Sequence, residues 1–128
     1  MPEISPSDIA APAANYAHAV LTTAPTRWLH TSGVVPVAPD GSVPDDIGEQ
    51  ADVVWSNIAA MLRDAQMHPT DVVSVTTYVV SGHLDDLGSV MAARDRALDD
   101  RRAASTLVTV PALARPEWKM EIAIVAAS

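Results

Sequence analysis

Glu121 is the one carboxylate in an otherwise apolar run, Trp118 to Ala127, reading WKMEIAIVAA. A carboxylate moved into low dielectric without a partner costs several kcal/mol or shifts its pKa until it neutralises. Such a group is either satisfied by local donors or positioned to work as a general base or a water-orienting acid. Strand alternation puts Glu121 on one face with Ala123 and Val125, and Trp118, Met120, Ile122 and Ile124 on the other. Its small neighbours suit a cavity and a close subunit contact equally. A second β-rich run, AASTLVTV from Ala103 to Val110, precedes it, and pairing of the two strands would bring their residues together. Tyr16 adds an aromatic hydroxyl that could line a pocket or cap a strand. His18 beside it is either an acid–base partner near neutral pH or an exposed strand residue. His30, His68 and His83 show no His-x-His or His-x3-His spacing, so no metal site is expected. The five glycines form no phosphate-binding cluster, and no cofactor is expected.

A chain of 128 residues makes one domain, 1–128, with residues 1–12 as an extended lead-in. Hydrophobic residues at 48% against 19% charged mark a globular chain. A formal charge of −8 and a pI near 4.6 argue against nucleic acid and against anionic membrane surfaces. Cysteine is absent, which excludes disulfides and thiolate chemistry. MPEISPSD lacks a basic-then-apolar pattern, and no apolar run approaches ~18 residues, so a soluble, cytoplasmic protein is expected. Phenylalanine is absent as well. A core of Val, Ile, Leu, Met and Ala encloses little within one subunit, which points to a site shared between subunits.

The elements follow from pattern. Tyr16–Thr23 and Arg27–Ser32 read as strands joined at Ala24-Pro25-Thr26 into a hairpin. Gly33 to Gly41, with two prolines and an Asp-Gly, is a loop. Asp45 or Asp46 caps a helix whose apolar face is Ile47, Ala51, Val54, Trp55, Ile58, Leu62 and Ala65, ended by His68-Pro69. Asp71–Val80 is β-branched and apolar on both alternations, hence a central strand. A second helix after Ser81-Gly82 buries Leu84, Leu87, Val90, Met91 and Leu98, and the charges of Arg94, Asp95 and Arg96 read as its solvated face. The order β-β-α-β-α-β-β predicts an α+β fold: a mixed sheet with both helices on one face. The bare face carries apolar residues, so self-association into a closed cyclic oligomer is expected.

This arrangement resembles the RidA/YjgF family from about Ala13 to Ala127. Asn15-Tyr16-Ala17-His18-Ala19-Val20 is similar to that family's Gly-Pro-Tyr-Ser-Gln-Ala-Val, and Thr31-Ser32-Gly33-Val34-Val35-Pro36 to its Ser-Gly-Gln-Ile-Pro. Gln50, Ala51, Asn57 and Ile58 match in the long helix, and Asp71-Val72-Val73 with Thr76-Thr77 in the next strand. Lys119-Met120-Glu121-Ile122 resembles the closing Val-Glu-Ile-Glu. The resemblance implies a chorismate-mutase-like subunit, a homotrimer and small-molecule pockets in the intersubunit clefts, without cofactor or metal. It further implies Glu121 as the group that positions water for attack on a C=N carbon. Tyr16, Ser32, Gly33, Met91, Ala104, Thr106 and Trp118 are the implied substrate-binding positions.

One departure stands out. The family's Pro-Ala-Arg-Ser-Thr is Arg102-Ala103-Ala104-Ser105-Thr106 here, so Ala104 replaces the arginine that holds a substrate carboxylate, and Met91 stands where an asparagine is common. A guanidinium–carboxylate fork in a dry site is worth roughly 2–5 kcal/mol. Its loss disfavours α-imino acids and predicts a ligand lacking the usual carboxylate. Arg102 and Arg115 are candidate compensating cations, each also readable as a surface arginine. Three readings follow: a divergent enzyme acting on an imine, enamine or similar reactive intermediate; a catalytically silent metabolite-binding trimer; or a protein-interaction module. The family's ribonuclease label fits poorly with an acidic chain that has no basic patch.

Overall fold

Asp46 begins the clearest element in the computed structural model, which describes residues 2–128. Its carboxylate accepts from the Glu49 amide at 3.0 Å and starts helix α1, Ile47–Asp64. The apolar stripe of α1 buries Ile47, Ala51, Val54, Trp55, Ile58 and Leu62, as its spacing predicts. Gln50 is buried with them.

The remaining elements are β1 (Glu3–Ile4), β2 (Ala19–Val20), β3 (Trp28–His30), β4 (Val72–Val80), α2 (Leu87–Ala97), β5 (Ala104–Val110) and β6 (Met120–Ala127). Four of them form a mixed sheet in the order β3-β6-β4-β5, with β4 and β5 parallel and the other pairs antiparallel. The expected α+β architecture is therefore present, with β4 central and both helices on one face.

Alternation separates the two faces. Met120, Ile122, Ile124, Ala126, Val72, Val75 and Val79 join the helices in one buried cluster. Glu121, Ala123 and Val125 of β6 and Ser74, Thr76 and Tyr78 of β4, paired across the ladder, lie half-buried on the uncovered face.

Three expectations are corrected. The hairpin between Tyr16–Thr23 and Arg27–Ser32 does not form: β2 pairs with β1, and β3 pairs with β6. The Thr26 and Arg27 amides donate to the Ser128 carbonyl, while Ala17 bridges Ala104 at the far edge of the sheet. The start of the first segment and the second segment are thus held at different edges of the sheet and do not pair with each other.

Nor do β5 and β6 pair, because β4 runs between them. Finally, α2 proper starts at Leu87. Ser81–Asp86 is a 3₁₀ segment interrupted at His83, and Leu84 is 59% exposed rather than buried. The tighter turn eclipses positions three apart, and His83 meets Asp86 at 3.4 Å across it.

Candidate functional site

Gly33 packs directly against the Glu121 side chain. The loop after β3 returns to the sheet at Val34, whose amide donates to the Ile122 carbonyl at 2.7 Å and whose carbonyl accepts from the Ile122 amide. This bridge lays Gly33 directly over the Glu121 side chain. A Cβ at position 33 would sit 1.8 Å from Glu121 Oε2 and 2.9 Å from its Cδ, so a side chain there and this carboxylate position exclude each other. Ser32 and Gly33 also line an apolar groove of about 720 Å³ between β3 and α1.

Helix α1 braces this end of the sheet with polar side chains. Asn57 Nδ2 donates to the Val37 carbonyl at 3.0 Å and fixes the loop. Gln50, wholly buried, donates to the Pro44 and Glu117 carbonyls at 2.7 and 2.8 Å and accepts from the Lys119 amide at 2.9 Å. The start of β6, and with it Glu121, is anchored by that one amide side chain. Among the described residues, no hydrogen bond or ion pair holds the Glu121 carboxylate.

The second group of residues gathers at the opposite edge, outside β5. Tyr16, Met91, Arg94, Ser105, Leu107 and Ala14 line a cavity of about 220 Å³. The Tyr16 hydroxyl accepts from the Ala13 amide at 3.3 Å, which leaves its own hydrogen free to donate. Ala104 and Thr106 occupy the other alternation of β5, in register with Ser74 and Thr76 on the uncovered face, and do not line this cavity.

Arg94 corrects the reading of α2's charges: it is not on a solvated face. Its side chain is 8% exposed. Nε donates to Asp95 Oδ1 at 3.1 Å, Nη2 to the Asn15 carbonyl at 3.0 Å, and Nη1 to Ser105 Oγ at 3.4 Å. Arg96, two residues on, does face solvent, where it pairs with Asp52.

The other candidate cations have occupations of their own. Arg102 donates through Nε and Nη2 to the Tyr16 carbonyl at 3.2 and 2.7 Å and pairs with Glu3 at 2.8 Å. It thereby clasps β1 and the Tyr16 segment to β5. Arg115 lies 6.0 Å from the Trp118 ring in the loop before β6. Trp118 Nε1 is buried and lacks a partner among the described residues. His18 Nε2 is 2.7 Å from the Ala10 carbonyl, and its ring meets Tyr16 edge-on. Among the described residues no group of three His, Asp or Glu side chains is placed to hold a metal ion, and no helix is long and apolar enough to cross a membrane.

The sheet register separates these two groups. Glu121 faces Tyr78, which faces Val108, four residues beyond Ala104. Two strand spacings across and four residues along put the Glu121 and Ala104 Cα atoms roughly 10 Å by 13 Å apart. Tyr16 lies still farther out. Glu121, Ser32 and Gly33 form one group, and Tyr16, Met91, Arg94 and Ser105 a second, well apart in the same subunit.

The family described as Endoribonuclease L-PSP matches residues 7–128. The Rid-family protein YyfB from Yersinia pestis, described as of unknown function, has 30% identity and a TM-score of 0.89 over 99% of this chain and 98% of its own. The YjgF gene product of E. coli has 27% identity and a TM-score of 0.71, over 99% and 98%. TdcF of E. coli, solved with bound serine, shares the fold at 22% identity and a TM-score of 0.73, over 100% and 99%. No curated protein sequence matches.

Proposed function

Because this chain belongs to the Rid/YjgF family, the family described as Endoribonuclease L-PSP, we propose that it hydrolyses a small imine- or enamine-type intermediate in clefts between the subunits of a homotrimer. The observation that carries this reading is the Glu121 carboxylate, packed on Gly33 and without a partner of its own. Apposing the Glu121 edge of one copy to the Tyr16 edge of the next is a head-to-tail contact, which closes into a ring when the rotation per step allows. The half-buried, helix-free sheet face is what such a ring covers.

In the proposed reaction, Glu121 holds a water against the C=N carbon and takes one of its protons as the C–O bond forms. The nitrogen gains that proton to give a carbinolamine. Glu121 then takes the carbinolamine hydroxyl proton and passes it to the nitrogen as the C–N bond breaks and the C=O forms, and a carbonyl compound and ammonia leave. The Tyr16 hydroxyl of the adjoining copy holds the departing nitrogen. An enamine enters the same path after protonation at carbon. Recognition of the substrate does not use a guanidinium on β5, since Ala104 stands there.

The endoribonuclease description suits this chain poorly. With a net charge of −8, it offers no basic stripe to neutralise a phosphodiester backbone. The test is ammonia release from short neutral and anionic imines, generated in place, by the wild type and Glu121→Ala. A fall in rate of about 10²–10⁴-fold in the variant is expected; equal rates would leave the clefts as binding sites without catalysis.

A further inference from the structure

Between the two helices lies a cavity of about 290 Å³ that the proposed reaction does not use. It sits on the helix-covered side of the sheet, whereas Glu121 lies on the other. Trp55, Ala59 and Leu62 line it from α1, and Ala93, Arg96 and Ala97 from α2, at spacings of three and four that put each set on one helix face. Alanine at 59, 93 and 97 supplies only a methyl where the helices meet, which leaves the space unfilled. Trp55 is 6% exposed, and its Nε1 is buried without a hydrogen-bond partner among the described residues. An indole N–H can only donate, and burying it without an acceptor costs its full desolvation. A water does not resolve this. The buried part of the lining, Ile58, Leu62, Ala93 and Leu98, is apolar and offers none of the further polar partners that hold an ordered water.

We propose that this cavity binds a neutral, flat, largely apolar small molecule with one hydrogen-bond acceptor, which receives the Trp55 Nε1–H. Three features select that class. The indole asks for an acceptor and nothing else. Asp52 and Arg96, the charged residues of the lining, pair with each other at 3.0 Å, so an ion entering between the helices finds no counter-charge. The volume is near the lower end of ligand pockets, roughly 300–1,000 Å³, which limits the occupant to one or two rings. The site is separate from the proposed hydrolysis, since it shares no residue with the groups around Glu121 and Tyr16.

The test uses acetophenone and α-methylstyrene, which share a shape but exchange a carbonyl oxygen for a methylene. Both are titrated into the full-length protein and followed by NMR. Acetophenone should bind the wild type saturably and shift the Trp55 Nε1–Hε1 resonance. Trp55→Phe removes the donor and keeps an aromatic ring. The ratio of acetophenone to α-methylstyrene affinity should then fall by about fivefold or more relative to the wild type, the scale of one neutral hydrogen bond. Ala59→Leu fills the space and should abolish binding of both probes. Glu121→Ala should bind them as the wild type does; loss of binding there would move the site to the other face of the sheet and overturn the proposal. So would an absence of saturable binding by the wild type, an unmoved indole resonance, an unchanged ratio in a folded Trp55→Phe, or binding that survives in a folded Ala59→Leu. Should either cavity variant not fold, the wild-type titration and its indole resonance decide.

Discussion

Around Glu121 on β6 the chain brings together one free carboxylate, a glycine and an apolar groove. At the β5 edge the polar side chains meet local partners: Arg102 on Tyr16 and Glu3, Arg94 on Asn15, Asp95 and Ser105, and the Tyr16 hydroxyl on Ala13. One edge has the group able to move a proton, and the other has donors fixed in space. The two groups are thus carried by separate strands, each braced by a different helix.

The contrast is broken most directly by mixing defective copies. Glu121→Ala and Tyr16→Ala subunits should each be inactive alone. After co-expression in equal amounts, about a quarter of wild-type activity should return, since a cleft between copies is intact when each edge comes from the undamaged partner. No recovery would place both edges in one cleft of one chain.

Next in size is Gly33→Ala. The atom it meets first is the tip of a flexible side chain, so thermal stability should change by less than about 1 kcal/mol. Ammonia release should nevertheless fall by about 10²-fold as the carboxylate is displaced. Parallel losses of stability and rate would show that Gly33 serves the loop and not the acid.

Gln50→Ala strips the Pro44 and Glu117 carbonyls and the Lys119 amide of their buried partner. A loss of about 2–3 kcal/mol in chemical denaturation is expected. Smallest is Arg102→Met. Its ion pair with Glu3 is about one-third exposed on each side, so no more than about 1 kcal/mol should be lost. Its effect on turnover should be a raised KM with kcat held within about twofold, the mark of a loosened binding edge.

Much of this was legible from residue order. The buried stripe of α1, its Asp46 cap, the central place of β4 and the alternation around Glu121 are all local patterns that periodicity reads well. Gln50 escaped because its burial is repaid by three partners, two of which lie beyond residue 115. Pairing choices escaped for a similar reason. Tyr16–Thr23 and Arg27–Ser32 carry hairpin signals, yet the competing ladder on β6 lies about a hundred residues away in sequence.

Arg94 had a signal that the run of charges masked. It falls four residues after Val90 and four before Leu98, on the stripe those buried residues define. A charged residue on an apolar stripe is a sign of a buried charge with local partners rather than of a solvated face.

The contact between Gly33 and Glu121 binds two distant codons into a single inheritable choice. A lineage that acquires any side chain at the first position must shorten or relocate the acid at the second, and one that discards the acid frees the first to vary. Among relatives, a bulky residue at the position of Gly33 would therefore mark subunits that have abandoned the chemistry, before any assay is run.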